Sequence, residues 1–394
     1  QLNKEGILKI IDFKTFVFAT PWRNLTLFVI ETDEGITGLG EARVVGKTHT
    51  VIEYLKDVKR HIIGADVFDI EDLYKRFTLL DFGVSGEIAM TGLALVEMAC
   101  WDAIGKKVGM PVYKLMGGKV NDKIKAYANG WYKVDRDPIE FNKAAKKVIS
   151  AGYKALKFDP FGNGDLELSR AEYKKSIDLI EAVVDGVNSD TEVMIEMHGR
   201  FAPHQAVEIA KVIEKYNPAW IEEPCRPDDL EALEYVKNQT SIPIATGERL
   251  YSAKQFNPIF NKRLAHIIQP DINQCGGIFE VKKICSTAEN HSIMVALHNV
   301  GGIISTTAAL HLMTTLRNQK ILEHFNDFAD NKVKKIGNPY PEVVDGYFNI
   351  PKGPGWGVEI DYDYLESNPP KTENGIILDP GLNMFKSENW NKRD

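Results

Sequence analysis

The order of hydrophobic and polar positions divides the chain into two textures. From residue 7 to 43, apolar residues alternate with polar ones or run together, as in ILKIIDFKTFVF and NLTLFVIET, and the Gly-rich stretch DEGITGLGEA turns into a third strand. Roughly 50–115 follows a helical period through Ile52, Tyr54, Leu55, Val58 and Ile62, and continues into the strongly apolar GLALVEMACWDAIGKKVG. Gly109-Met110-Pro111 stops that helix, since glycine and then proline end a helical hydrogen-bond ladder. The first third therefore reads as an α+β unit.

From about residue 121 short apolar strands alternate with amphipathic helices. The strand candidates are KIKAYANG (123–130), ALKFDP (155–160), VMIEMH (193–198), AWIEEP (219–224), PIATGE (243–248), AHIIQPD (265–271), IMVALH (293–298) and KILEHF (320–325). Helices such as DPIEFNKAAKKVISAG and PHQAVEIAKVIEKY lie between them. Eight such units predict a TIM-like (β/α)8 α/β barrel, with a doubly wound open sheet as the structural rival. The spacing of ionisable strand ends favours the barrel. Glu196, Glu222, Glu248, Asp271, His298 and Glu323 follow one another at gaps of 26, 26, 23, 27 and 25 residues. A constant period of one strand and helix puts all six at the same end of successive strands, around a common axis, where barrel active sites are built. The expected domains are 1–120 for the α+β unit and 121–345 for the barrel. The Pro/Gly-rich stretch NPYPEVVDGYFNIPKGPGWGVEID should fold back so that about 345–394 completes the first unit.

Composition narrows the function classes. The 394 residues are 44% hydrophobic and 26% charged, with a net charge of −7 spread along the chain. Nucleic acid and anionic membranes, which demand basic surfaces, are not the expected partners. The four cysteines, Cys100, Cys225, Cys275 and Cys285, form no CxxC pair, so neither a zinc ribbon nor a disulfide framework is expected. No apolar run reaches the roughly 18–20 residues of a membrane span, and the polar start QLNKEG is unlike a secretory signal. The expectation is a soluble cytoplasmic protein large enough to be an enzyme.

Three carboxylates on adjacent strand ends, with no cationic partner on those ends, would repel one another if buried. Glu196, Glu222 and Glu248 are therefore candidate ligands for a hard divalent ion, Mg²⁺ first and Mn²⁺ second. Asp271 and His298 end neighbouring strands, where a carboxylate orients an imidazole and raises its basicity. His198, two residues beyond Glu196, is a metal ligand, a general acid or a histidine bonded to the next loop. Lys157 and Asp159 repeat the i, i+2 spacing on the second barrel strand; Lys157 can bind a substrate carboxylate, act as a base or be salt-bridged. Glu323 can donate or accept a hydrogen bond opposite the metal, while His324 should point outward among the helices. Gly35, Gly38 and Gly40 do not match a dinucleotide fingerprint and read as hairpin turns, and Cys225 reads as structural.

These residues resemble the enolase superfamily, in its mandelate racemase-like branch. DEGITGLGEA and ALVEMACWDAIGKKVGMPVYKLMGG are similar to that family's amino-terminal capping domain, and IEMH, WIEEP, ATGE, QPDINQCGG and ALHN to its barrel strand ends. The resemblance implies Glu196, Glu222 and Glu248 as metal ligands, a His298–Asp271 dyad, Glu323 facing a developing enolate, and a homo-oligomer. One departure stands out. Racemases and cycloisomerases of this branch carry Lys-x-Lys on the second barrel strand, whereas this chain has Lys157-Phe158-Asp159. IEMHGRF, GERLYS and the Pro/Gly-rich carboxy-terminal motif instead resemble the gluconate and galactonate dehydratase group.

The resemblance thus implies an Mg²⁺-dependent lyase, a hydro-lyase converting D-gluconate or D-galactonate to a 2-keto-3-deoxy acid. His298 would take the C2 proton and His198, with no carboxylate orienter besides Glu196, would protonate the departing C3 hydroxyl. Lys157, Asp159, Asn129 and Arg23 are the candidate substrate contacts. The cap, around Trp22, Arg23, Asp81 and Phe82, would close over the polyol. The alternatives are a dehydratase of another aldonate such as a pentonate, a racemase or epimerase, and a catalytically silent scaffold.

Overall fold

In the computed structural model, which describes residues 6–380 apart from 22, 80 and 330, the first strands form an antiparallel meander of β1 (Ile10–Ala19), β2 (Asn24–Thr32) and β3 (Thr37–Ala42). Trp22 and residues 381–394, which enter the expectations above, lie outside the described residues. Helices α1 (Thr48–Asp57), α2 (Lys59–Ile62), α3 (Ile70–Thr78), α4 (Glu87–Val108) and α5 (Val112–Leu115) follow. The hairpin reading holds for Gly35, whose φ is +74°; Gly38 and Gly40 instead sit within β3, against α4. A Cβ at Gly38 would stand 1.9 Å from the Ala99 carbonyl oxygen, and one at Gly40 2.1 Å from that of Leu95. Strand and helix approach this closely because neither glycine has a side chain. Contrary to the expected absence of any such segment, α4 is long and apolar enough to cross a membrane. Nearly all of it is buried inside the protein, which makes it the core helix of this unit.

All eight expected barrel strands form. They are β4 (Lys123–Ala128), β5 (Ala155–Phe158), β6 (Glu192–Glu196), β7 (Trp220–Glu222), β8 (Ile244–Thr246), β9 (Ile267–Ile268), β10 (Met294–Val295) and β11 (Leu322–His324). The helices between them are α6 (Pro138–Ser150), α7 (Arg170–Gly186), α8 (Pro203–Ile213), α9 (Leu230–Lys237), α10 (Ala253–Lys262), α11 (Ile278–Asn290) and α12 (Ile303–Thr314), and the short α13 (Asn326–Ala329) follows β11. Consecutive strands pair in parallel from β4 to β10, and β11 returns to pair with β4. A parallel bridge between Val295 and Gln319 joins the last two strands, so the sheet closes and the open-sheet rival is excluded.

Inside the barrel, Tyr127, Ala155, Met194, Trp220, Ala245, Ile267, Ala296 and Ile321 form one packed layer, one residue from each strand or its extension. Tyr127 and Trp220 meet edge to face at 5.6 Å, and the alanines make room for them. Because side chains on a strand return to the same face every second residue, the next inward positions are Asn129, Lys157, Glu196, Glu222, Gln269, His298 and Glu323. On β8 that position is Gly247, whose φ of +134° breaks the alternation just before Glu248.

The carboxy-terminal return serves both units. After the short β12 (Gly337–Asn338) and β13 (Val343–Val344), β14 (Tyr347–Asn349) adds antiparallel to the start of β4. Trp356 then buries itself against the first unit, its backbone N donating to Asp102 Oδ1 at 2.8 Å and its Nε1 to the Leu39 carbonyl at 2.7 Å. Beyond β15 (Glu359–Ile360), α14 (Tyr362–Glu366) packs on β1.

Candidate active site

Glu196, Glu222 and Glu248 converge: one carboxylate oxygen of each lies within 4.8 Å of the other two. Glu196 and Glu222 are buried and Glu248 lies at the rim. A cation does reach the cluster, from outside these three strand ends: Lys157, on the neighbouring β5, takes the salt-bridged role that the sequence left open for it. Its Nζ donates to Glu222 Oε1, to Glu196 Oε2 at 3.0 Å, and lies 3.4 Å from Glu323 Oε1. One ammonium does not balance this much buried negative charge. Burial, then the charge of Glu196, pushes Glu222 up to about 8 despite Lys157. A cluster of hard oxygens with unmet demand for positive charge fits Mg²⁺ or Mn²⁺.

Two histidine–carboxylate pairs stand beside this cluster. His298 Nδ1 lies 2.6 Å from Asp271 Oδ2, and Asp271 Oδ1 accepts from the Asn273 backbone N at 2.7 Å. The free Nε2 of His298 is 3.6 Å from Glu248. Burial alone would depress His298, but Glu248, Asp271 and Glu323 outweigh it and hold the imidazolium up to about 10. The second pair was not foreseen. His198 Nδ1 lies 2.7 Å from Asp159 Oδ2, so this histidine has a carboxylate orienter besides Glu196. The expectation that Asp159 contacts substrate meets a carboxylate already engaged: the Phe161 backbone N donates to Oδ1, and Arg200 donates to both oxygens at 2.7 and 2.8 Å. Burial would raise Asp159, but Arg200 and His198 hold it at about 2. His198 is itself raised, burial being outweighed by Glu196 and Asp159. Its backbone is left-handed, with φ +49°, and its N donates to Glu196 Oε1 at 2.8 Å. Such strain is typical of functional turns.

Glu323 is anchored on every side. Asn129 Nδ2 donates to Oε1 at 2.7 Å and the Asn299 backbone N to Oε2 at 2.9 Å. Burial would raise its pKa, yet Lys157 and His298 keep it ionised, at about 2. An ionised carboxylate accepts hydrogen bonds and cannot donate one, and here Glu323 accepts from Asn129 and faces the Lys157 ammonium. Asn129 is likewise occupied by Glu323 and by the Gly130 backbone N. Arg23 is buried against the loop after β11, donating to Asn326 and lying over the Phe325 ring, while Phe82 is fully exposed. His324 points outward as expected, between the hydroxyls of Tyr153 and Tyr340, and burial lowers it to about 4.

Sequence reasoning missed three supports. Arg200 lies in the quoted IEMHGRF, but nothing in the sequence gives its partner. Arg249 follows Glu248 and pairs with the buried Glu223. Gln269 is fully buried two residues beyond the inward-facing Ile267, and neither polar atom of its amide has a partner among the described residues.

Residues 140–364 match the family model for the enolase C-terminal domain-like fold, and residues 14–117 match that for the mandelate racemase/muconate lactonizing enzyme N-terminal domain. The chain is 35% identical over 348 residues to a D-gluconate dehydratase of Thermoproteus tenax, covering 88% of this chain and 70% of the relative. It is 33% identical to a D-gluconate/D-galactonate dehydratase of Picrophilus torridus, covering 88% and 89%, and 33% identical to a D-galactonate dehydratase of Pectobacterium atrosepticum, covering 94% and 97%. Among solved structures, a mandelate racemase/muconate lactonizing enzyme from a Jannaschia species superposes with a TM-score of 0.86 at 30% identity, covering 93% of this chain and 99% of that one.

Proposed function

The chain belongs to the enolase superfamily, in its mandelate racemase/muconate lactonizing enzyme branch, and from that premise we propose that it dehydrates D-gluconate or D-galactonate to the 2-keto-3-deoxy acid. The observation that carries this reading is the second histidine pair. Where a racemase of this branch would place a second lysine, Asp159 holds His198 beside the acidic cluster. That supplies a proton donor for elimination alongside the base His298.

Glu196, Glu222 and Glu248 would hold the Mg²⁺, which when bound supplies positive charge to offset the charge that develops on the substrate carboxylate. Lys157, freed from part of its ion pairing, would bind the same carboxylate. His298, oriented through Nδ1 by Asp271, presents Nε2 to the C2 hydrogen; with Glu248, the largest charge that holds its own proton, offset by the divalent ion, the neutral ring accepts the C2 proton. His198, oriented by Asp159, donates a proton to the C3 hydroxyl, which leaves as water as the C2–C3 double bond forms. The resulting enol tautomerises to the 2-keto acid, so one water is lost and both histidines are reset by solvent. Glu323 and Asn129 keep Lys157 in register. Four buried free cysteines fit a reducing cytoplasm as the place of this work.

The test is a screen of acid sugars with Mg²⁺, read by 2-keto acid formation. D-Gluconate or D-galactonate should give the strongest signal. Exchanged or inverted substrate without 2-keto acid would replace this reading with a racemase, and no turnover of any acid sugar would leave a silent scaffold.

A further inference from the structure

Helices α11 and α12 follow the strands that carry Asp271 and His298, and neither has a cap of its own. Their N-cap positions are Gly277 and Gly302. By contrast α6, α7 and α9 are capped locally by Asp137, Ser169 and Asp229. The orphan backbone donors of α11 and α12 are satisfied by carboxylates of the other domain. Glu97, in the middle of α4, accepts from Ile278 N at 2.9 Å and Phe279 N at 2.8 Å, and is held by Trp101 Nε1 at 2.8 Å. Glu41, on β3, accepts from Gly302 N, from Ile304 N at 3.0 Å and from Ser305 N at 3.4 Å. Both are only 2% exposed.

The glycines are the seats for these carboxylates. A Cβ at Gly277 would lie 2.0 Å from Glu97 Oε2, and one at Gly302 would lie 2.8 Å from Glu41 Oε1. A local Ser or Asp cap at either site would collide with the carboxylate that now does its work. The two capped loops are also tied together, because Asn273 Nδ2 donates to Ser305 Oγ at 2.6 Å. Within them, Asp271 accepts from Asn273 N, and Asn299, next to His298, donates to Glu323.

We propose that Glu41 and Glu97 are positioning residues, N-caps supplied in trans, through which docking of the amino-terminal domain fixes the loops that hold Asp271 and His298. The catalytic meaning rests on the reading of that pair as the general base; the structural claim does not. The His198–Asp159 pair lies on the β5 and β6 loops, which receive no such caps among the described residues, so these two caps act on one of the two histidines.

The test uses the full chain loaded with Mg²⁺ and follows backbone hydrogen–deuterium exchange by mass spectrometry. In Glu41→Ala, exchange should rise in 298–306, and in Glu97→Ala in 271–280, each roughly tenfold as expected for a lost cap. Exchange in 192–201 should stay unchanged. With the active substrate kcat should fall with KM and calorimetric Mg²⁺ affinity unmoved, and Glu41→Gln and Glu97→Gln, which keep an acceptor oxygen, should recover part of both signals. The Gln variants also carry the test if an alanine variant fails to fold. Unchanged exchange in the capped loops, or an equal rise in 192–201, would overturn the proposal. If no acid sugar is turned over, the exchange data still decide it, separately from the proposed reaction.

Discussion

The two histidine pairs at the barrel mouth have nearly the same geometry and different surroundings. In each, an imidazole Nδ1 meets a buried carboxylate, at 2.6 Å for His298–Asp271 and 2.7 Å for His198–Asp159. What differs is the rest of the carboxylate's company. Asp271 accepts one backbone N–H besides its histidine, so its charge acts on His298 almost undivided. Asp159 shares its charge with the guanidinium of Arg200. A carboxylate already neutralised orients an imidazole without making it a strong base. On the proposed division of labour, the third group that contacts each carboxylate is what separates the two dyads.

The largest effect erases the comparison altogether. Exhaustive chelation should abolish both C2 exchange and dehydration, with recovery on adding Mg²⁺ or Mn²⁺ and none with Na⁺. Glu222→Gln should weaken divalent-cation binding by at least about tenfold in calorimetry. Full activity in the chelated protein would sink the metal site and both histidine roles with it.

Next come the histidines themselves, assayed in D₂O. His298→Asn should lose C2 exchange and dehydration together, by roughly 10²–10⁴-fold, the usual contribution of a general base. His198→Asn should lose dehydration by a similar factor of about 10²–10⁴ but keep slow exchange into recovered substrate. A 3-fluoro analogue, whose leaving group needs less acid help, should partly rescue only His198→Asn. Rescue of His298→Asn instead would reverse the assignment.

A third variant turns one pair into its racemase-like counterpart. Asp159→Lys recreates Lys-x-Lys but buries a second cation against Arg200. It should cost about 3–5 kcal/mol, read as a lowered Tm, and should not yield an efficient racemase. A stable variant that racemises an α-hydroxy acid would show that position 159 alone sets the reaction.

A buried histidine with no carboxylate sharpens the contrast. His311 Nδ1 accepts from Tyr113 N at 3.1 Å and Nε2 donates to the Trp356 carbonyl at 3.2 Å, so protonation would orphan the Tyr113 donor. Burial lowers it from 6.5 to about 4. Because the folded form then binds fewer protons than the unfolded chain, this stabilisation is complete above 6.5 and is lost as pH falls through that value toward about 4. The loss approaches about 3 kcal/mol. Urea midpoints at pH 7.5 and 5 should therefore differ less in His311→Gln than in the native chain; an identical difference would refute the neutral assignment.

Much of this was legible before any coordinates, and the reason is periodicity. The eight strands announced themselves because parallel barrel strands are apolar to their ends, and Glu196, Glu222 and Glu323 fall on a strict two-residue alternation from the interior layer. What escaped depends on contacts that sequence separation hides. His198 and Asp159 meet because β5 and β6 pair with Phe158 opposite Ile195 and because His198 adopts a left-handed backbone. Glu248 is displaced from the simple alternation by Gly247, and Gly38 and Gly40 look like turn residues until α4 is laid against them. Arg200 looks like any loop arginine until its partner is known.

Arg200 is where the comparison can be tested most finely. If it makes Asp159 an orienter rather than a base-maker, Arg200→Met should return Asp159's full charge to His198, strengthen its hold on the proton and weaken it as an acid. Dehydration should fall by about tenfold while C2 exchange, which belongs to His298, stays near native. Arg200→Lys keeps a charge but loses the two-pronged contact, and should fall between the two. The guanidinium also donates to the Gly162 and Met197 carbonyls at 2.7 and 3.2 Å, so some loss of stability is expected in both variants. The ratio of elimination to exchange is insensitive to that loss, since both are measured on the same folded molecules. An unchanged ratio would mean that the two dyads differ by position alone, and that Arg200 only packs the loop.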